Sequence, residues 1–223
     1  MKFVYLWFLV LLLSCGKSKT VLLPEIKHSE ITKIDDISPA YLFYNEKMPD
    51  SIELNRKNLI GTTNWLFNVD RRLTLKQAIP KIIFLQEKKR NMKMHRNENA
   101  KNYYTCHDLS INNLGFIEFT NVHYLKNHKS IDTLDLNNLY LIVEDINNIT
   151  LITSEDTGIM SLTKTNIKEV LKDILKGEDF QHYLYLSFNS KISFQDYITL
   201  KYILSNLGIE NLILMKDEEI FNW

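Results

Sequence analysis

Two stretches of the chain repeat apolar residues at helical spacing, and short alternating runs lie around them. Ile167, Val170, Leu171, Ile174 and Leu175 fall at i, i+3, i+4, i+7 and i+8, the stripe of a helix that buries one face. It begins near Asn166, with Glu169 three positions on, and Gly177 stands where a left-handed C-terminal cap belongs. Tyr197, Leu200, Leu204 and Leu207 form a second stripe, opened by Ser193 with Asp196 three residues later and closed by Gly208. Between the helices, Leu184, Leu186 and Phe188 alternate with Tyr183, Tyr185 and Ser187, the two-residue period of a strand. Upstream, residues 139–143 and 149–152 flank Asp145 to Asn148 as a hairpin would, and 212–215 supply a last strand. The order strand, strand, helix, strand, helix, strand predicts parallel neighbours joined by right-handed crossovers, with both helices on one side of a small mixed sheet.

The first half reads less cleanly. Residues 41–44, 51–54 and 64–69 are strand candidates, with a turn around Lys47 to Asp50. Thr74 and Gln77 form a capping-box pair ahead of Ala78, Ile79, Ile82, Ile83 and Leu85, and Lys88, Lys89 and Arg90 suit the helix end. Pro80, six positions past the cap, predicts a kink or a later start. Residues 102–105 and 115–120 are further strands, and 92–101 a loop. Phe67-Asn68 followed by Arg72 to Ile79 echoes Phe188-Asn189 followed by Lys191 to Ile198, so one strand-turn-capped-helix pattern occurs twice. The expected class is therefore α+β: two small α/β two-layer domains, mixed sheets with helices on one face. Their bounds are 38–126 and 139–223, joined by a polar linker at 127–138.

The N-terminus differs from all of this. Lys2 precedes eleven unbroken apolar residues, Phe3 to Leu13, then Ser14, Cys15 and the polar Gly16 to Lys19. That is the charged, apolar, small-residue order of a secretory signal. The run is well short of the roughly 20 residues a membrane-crossing helix needs. Residues 15–37 have no sustained period and contain Pro24, which reads as a tether.

Charge narrows the partners. Lysine plus arginine and aspartate plus glutamate number 27 each, so the basic footprint of a nucleic-acid binder is missing. The Lys88-Lys89-Arg90 cluster, continued by Lys93, Arg96 and Lys101, could meet anionic headgroups or glycans, but reads first as a solvated helix end. Cys106-His107-Asp108 holds the residue types of a nucleophilic site, yet strand neighbours face opposite ways and a working triad is assembled in space. His95, His107, His123 and His128 fit no short metal-ligand spacing, so no metal or cofactor is expected. Asp35-Asp36, Asp135 and Glu144-Asp145 read as solvated turns. Trp65, Tyr103 and Tyr104 read as strand and core positions ahead of a binding surface. Gly16-Lys17-Ser18 is no phosphate loop, because Leu11 stands where its first glycine belongs.

Leu12-Leu13-Ser14-Cys15 resembles the lipobox of bacterial lipoproteins. The resemblance implies cleavage after residue 14, acylation of the Cys15 thiol and attachment to a membrane. Tyr185 to Asn189, Ser193 to Tyr197 and Leu204 to Leu214, with the element order, resemble the periplasmic domain of the ExbD/TolR family of biopolymer transport proteins. Where such domains commonly carry an aspartate after the third strand, this chain has Asn189. Members of that family have a transmembrane helix with an embedded acid linked to proton-driven work, and no such segment is present here. The implied role is a non-enzymatic binding or assembly module of the cell envelope, accessory to a TonB/Tol-type system and partnered by an envelope protein. A homodimer is compatible with these residues. The whole chain also resembles uncharacterised lipoproteins of the Bacteroidetes type, and without an acidic run after Cys15 it is expected on the outer membrane facing the periplasm, the inner membrane being the alternative. Competing readings are a small-ligand-binding lipoprotein with an apolar pocket between the domains, and a hydrolase using Cys106 and His107.

Overall fold

The computed structural model describes residues 19–92, 97–126, 138–153 and 158–223. The signal, Cys15, Lys93, His95, Arg96, His128, Asp135 and the linker up to residue 137 lie outside them. The elements run β1 (Glu25–Ile26), β2 (Ile37–Tyr44), β3 (Ile52–Asn55), β4 (Asn64–Val69), α1 (Leu75–Arg90), β5 (Asn102–Asp108), β6 (Asn113–Glu118) and β7 (His123–Leu125). They continue with β8 (Asn138–Asp145), β9 (Asn148–Ile152), β10 (Ile159–Leu162), α2 (Ile167–Ile174), β11 (His182–Asn189), α3 (Phe194–Ser205) and β12 (Leu212–Phe221). The class is α+β, with two six-stranded mixed sheets and, among the described residues, three helices.

The two sheets repeat one plan. In the first, β3-β2-β4-β5 lie side by side, β2 antiparallel to β3 and parallel to β4, and β4 parallel to β5. In the second, β9-β8-β11-β12 have the same order and the same directions. A helix follows the third strand of each. Thr74 accepts from the Gln77 backbone N–H, and Ser193 accepts from that of Asp196 at 3.0 Å, so both expected caps form.

The two helix starts also complete each other. The first backbone N–H groups of a helix have no partner within it. Leu75 N–H donates to Ile192 O at 3.1 Å, and Phe194 N–H to Leu73 O at 2.7 Å. Lys76 N–H donates to Ser190 O at 2.8 Å, and Gln195 N–H to Arg71 O at 3.2 Å. Thr74 and Ser193, the two caps, face each other as an isolated antiparallel bridge. The contact is reciprocal, with equivalent groups exchanging equivalent bonds.

α1 runs unbroken from Leu75 to Arg90 through Pro80, so the expected later start is not found. Ala78, Ile79, Ile82 and Leu85 on it are fully buried. Deleting a side chain of that size from a core costs several kcal/mol, comparable to or above the roughly 3 kcal/mol penalty of an internal proline. The stripe of α2 buries Ile167, Leu171 and Leu175, and Gly177 (φ +84°) turns the chain after it. Asn166 sits at the N-cap position without capping: its side chain instead accepts from Thr163 N–H at 2.7 Å.

Three short strands were not visible in the sequence: β1, β7 and β10. β7 leaves the first half of the chain and adds to the second sheet, parallel to β12 with His123 opposite Asp217. β1 pairs with the end of β5 and fixes a segment read as a tether. From Leu22 onward that segment is packed on the fold: Leu22 N–H donates to Asp70 Oδ2 at 3.2 Å and Arg71 N–H to Leu22 O at 2.7 Å. Glu25 and Gln195 exchange two bonds, so β1 also binds α3. Ser29 is buried against Asp108 and Phe116, and Ile31 and Ile34 cover Leu66, Tyr103 and Phe116 on the outer face of the first sheet.

One apolar cluster spans both sheets and all three helices, from Ile26 and Trp65 to Phe188 and Ile220. At its centre Tyr104 stacks on Phe119 with ring centroids 3.8 Å apart, and Phe194 meets Tyr104 edge-on at 5.2 Å. These rings come from both halves of the chain, so neither half closes its core alone.

Candidate functional site

The most concentrated polar chemistry lies inside this core. Lys201 of α3 and Glu218 of β12 form a buried ion pair. Tyr197 donates to Glu218 Oε2 at 2.7 Å, the Tyr124 and Tyr197 hydroxyls lie 3.1 Å apart, and the Tyr104 and Tyr124 hydroxyls are hydrogen-bonded. Burial pushes all three tyrosines above their ordinary range, and the nearby Glu218 carboxylate acts in the same direction. All five groups are buried. The chain satisfies buried polar atoms and ties β5, β7, α3 and β12 together, a structural role.

The candidate nucleophile fails on burial. Cys106 is fully buried on β5, and desolvation pushes its thiol well above its ordinary value, which disfavours the thiolate a nucleophile needs. His107 faces the other way and bonds Asn112 at 3.0 Å. Asp108 is buried as well. The hydroxyl and N–H of Ser110 and the N–H of Ser29 hold its carboxyl below its ordinary value. Cys106 packs in the core while His107 and Asp108 make separate bonds, so the three share no site. Among the described residues no group of three histidines, cysteines or carboxylates is placed to hold a metal. His123 pairs instead with Asp217 at 3.1 Å. Trp65 and Tyr104 are core residues, as expected, and Tyr103 lies under the N-terminal segment.

Of the basic cluster, Lys89 turns inward. Its ammonium donates to Lys101 O at 2.8 Å and Asn102 Oδ1 at 3.0 Å and lies 5.3 Å from the Trp65 ring. Burial lowers its pKa to about 8. It lines a polar recess of about 210 Å³ with Gln86, Arg90, Glu98 and His123. The bonds it makes fasten the end of α1 to the start of β5.

The feature that remains open is an edge. β7 covers only Asp217 to Glu219 of the ten residues of β12. Among the described residues no strand lies beside Leu212 to Lys216 on that side. Unpaired edge groups are ready partners for another strand, and natural edges are usually blunted by charge or proline. Here the first four residues, Leu212-Ile213-Leu214-Met215, are all apolar. Leu212 and Leu214 also line a groove of about 300 Å³ with Leu204, Leu207 and Ile209 from the end of α3 and the turn after it. Gly208 at φ +64° makes that turn, a backbone region an L side chain adopts only with strain.

Asn189, which stands where ExbD/TolR-type domains commonly carry an aspartate, is 7 % exposed and donates to Glu144 at 2.6 Å. No helix among the described residues is long and apolar enough to cross a membrane. No family model, curated protein or solved structure matches the chain.

Proposed function

We propose that this protein is a lipid-anchored binding or assembly module of the cell envelope, fastened through Cys15, that receives an extended segment of a partner protein along β12. The observation that carries the reading is the open edge at Leu212 to Lys216 beside its apolar groove. Main-chain bonds along such an edge supply affinity, and a groove taking alternate side chains supplies selectivity. The lipobox-like Leu12-Leu13-Ser14-Cys15 supports the anchor, and the ExbD/TolR-like pattern of the C-terminal half supports an accessory place beside an energised transport system on the outer membrane's periplasmic side. The buried Cys106 favours a non-enzymatic role over a hydrolase. The packing of aromatic rings between the two halves leaves little room there for the apolar pocket that a ligand-binding reading needs.

A photocrosslinking residue placed at Ile213, which is 44 % exposed, tests the edge in living cells. An envelope protein joined at Ile213 and not at the exposed control Lys57 is the expected result. Equal adducts at both positions, or none at Ile213, would overturn the proposal. Fatty-acid labelling tests the anchor separately, since it should vanish in Cys15→Ser.

A further inference from the structure

We infer that the end of the fold where the N-terminal segment enters is a seat held against the lipid surface, with the open edge of β12 turned away from the membrane. This rests on the reading that Cys15 carries lipid. Cys15 and Lys19 are four residues apart, so the chain between them spans at most about 14 Å, and reaches about 25 Å by Leu22. Leu22 is fixed by Asp70 and Arg71, and Lys19 is already paired with Glu53 of β3. A body of about 200 residues is roughly 40 Å across. The leader is therefore shorter than the body is wide, and the body cannot turn the opposite end toward the bilayer.

The surface at the entry point is continuous. Asp70 holds Arg72, whose guanidinium lies 4.6 Å from the Tyr44 ring, and Tyr44 begins the turn that carries Met48, 40 % exposed. Asp50 in the same turn accepts from Gln77 in the first turn of α1. Its charges also suit anionic headgroups. Lys19, Arg71, Arg72 and Lys81 already neutralise Glu53, Glu25, Asp70 and Asp50. Lys47, Lys76 and Lys191 are left without an ion pair among the described residues, against the acids Glu46 and Asp196, so the surface keeps a small positive excess. Cations so placed are drawn to an anionic leaflet within a Debye length.

The same end carries the reciprocal loops, and through them the last residue of β12. Arg71 O accepts from Gln195, Lys76 donates to Ser190 O, and Ser190 donates to Phe221 O. Leu212 lies at the other end of this ten-residue strand, about 30 Å away. The partner edge thus stands clear of the lipid while the anchor is short.

The test uses the full-length lipidated protein in vesicles of phosphatidylethanolamine and phosphatidylglycerol bearing a nitroxide headgroup. A fluorophore is attached at Met48→Cys or at Ile213→Cys; both sites are exposed, whereas Cys106 is buried. Quenching at position 48 should exceed that at position 213 by at least about threefold, as the short reach requires. Equal quenching, or stronger quenching at 213, in protein that floats with the vesicles overturns the seat and leaves the anchor standing. Protein without acyl mass on Cys15 that does not float overturns the lipid reading itself, and this inference with it.

Discussion

Lys89 carries its charge in a partly buried place where the acceptors it meets are neutral, a backbone carbonyl and an amide oxygen. Burial lowers its pKa from 10.5 to about 8. Between those values the unfolded chain binds more proton than the folded one, so stability rises as pH climbs through this window. Below it the penalty is present in full. The carbonyl partners favour the charged form, so the gain is on the order of 1–2 kcal/mol. Tyr104, Tyr124 and Tyr197 act oppositely: their folded pKa values are raised, so the unfolded chain loses those protons first and stability falls above about pH 10. The urea midpoint should therefore increase from about pH 7.5 to about pH 9.5, and Lys89→Met should flatten that rise. A midpoint that falls over this range would refute the argument. None of this was legible in Lys88-Lys89-Arg90, which reads as a solvated helix end. Glu218 was hidden for a related reason. It lies in the charged run Lys216 to Glu219, and the faint signal was its two-residue spacing from the core residue Ile220.

Elements that repeat their pattern over a longer segment were legible, and the shortest strands, which depend on partners elsewhere in the chain, were not. The stripes of α2 and α3 and the β8–β9 hairpin repeat their pattern within one segment, and the single Thr74–Gln77 capping box marks the start of α1. β1 has two residues and β7 three, too few to alternate, and β7 is held by a partner strand far along the chain. The segment 19–36 lacked a period because its bonds go to Asp70, Asp108, Phe116 and Gln195 and not to a regular ladder. The reciprocal helix starts give this scale its prediction. Thr74→Ala and Ser193→Ala should each cost about 1 kcal/mol, as lost N-caps do. Each first turn also donates to the other's loop carbonyls, so fraying one disturbs both. A double-mutant cycle in urea should show a coupling of at least about 0.5 kcal/mol. Additivity within error would mean that the two starts are independent.

At the scale of the molecule, the repeated plan of the sheets belongs to one core and not to two. The second sheet takes β7 from the first half, and Tyr197 of the second half closes on Tyr124 of the first. Full-length protein should unfold in a single cooperative transition. The fragment 138–223 should lack one, although it contains all of the ExbD/TolR-like pattern. Circular dichroism through a urea titration checks both, and a sigmoidal transition in the isolated fragment would contradict the shared core.

The buried polar chain depends on β12. Without β12, Lys201 and Tyr197 lack the carboxylate that binds them both, and β7 has no strand to join. A polypeptide ending before residue 212 would be left with an inward-facing amine, stranded hydroxyls and a loose strand. Damage to β12 would then be felt in the middle of the protein. Loss of this one strand would thereby open the molecule as a whole to proteolysis.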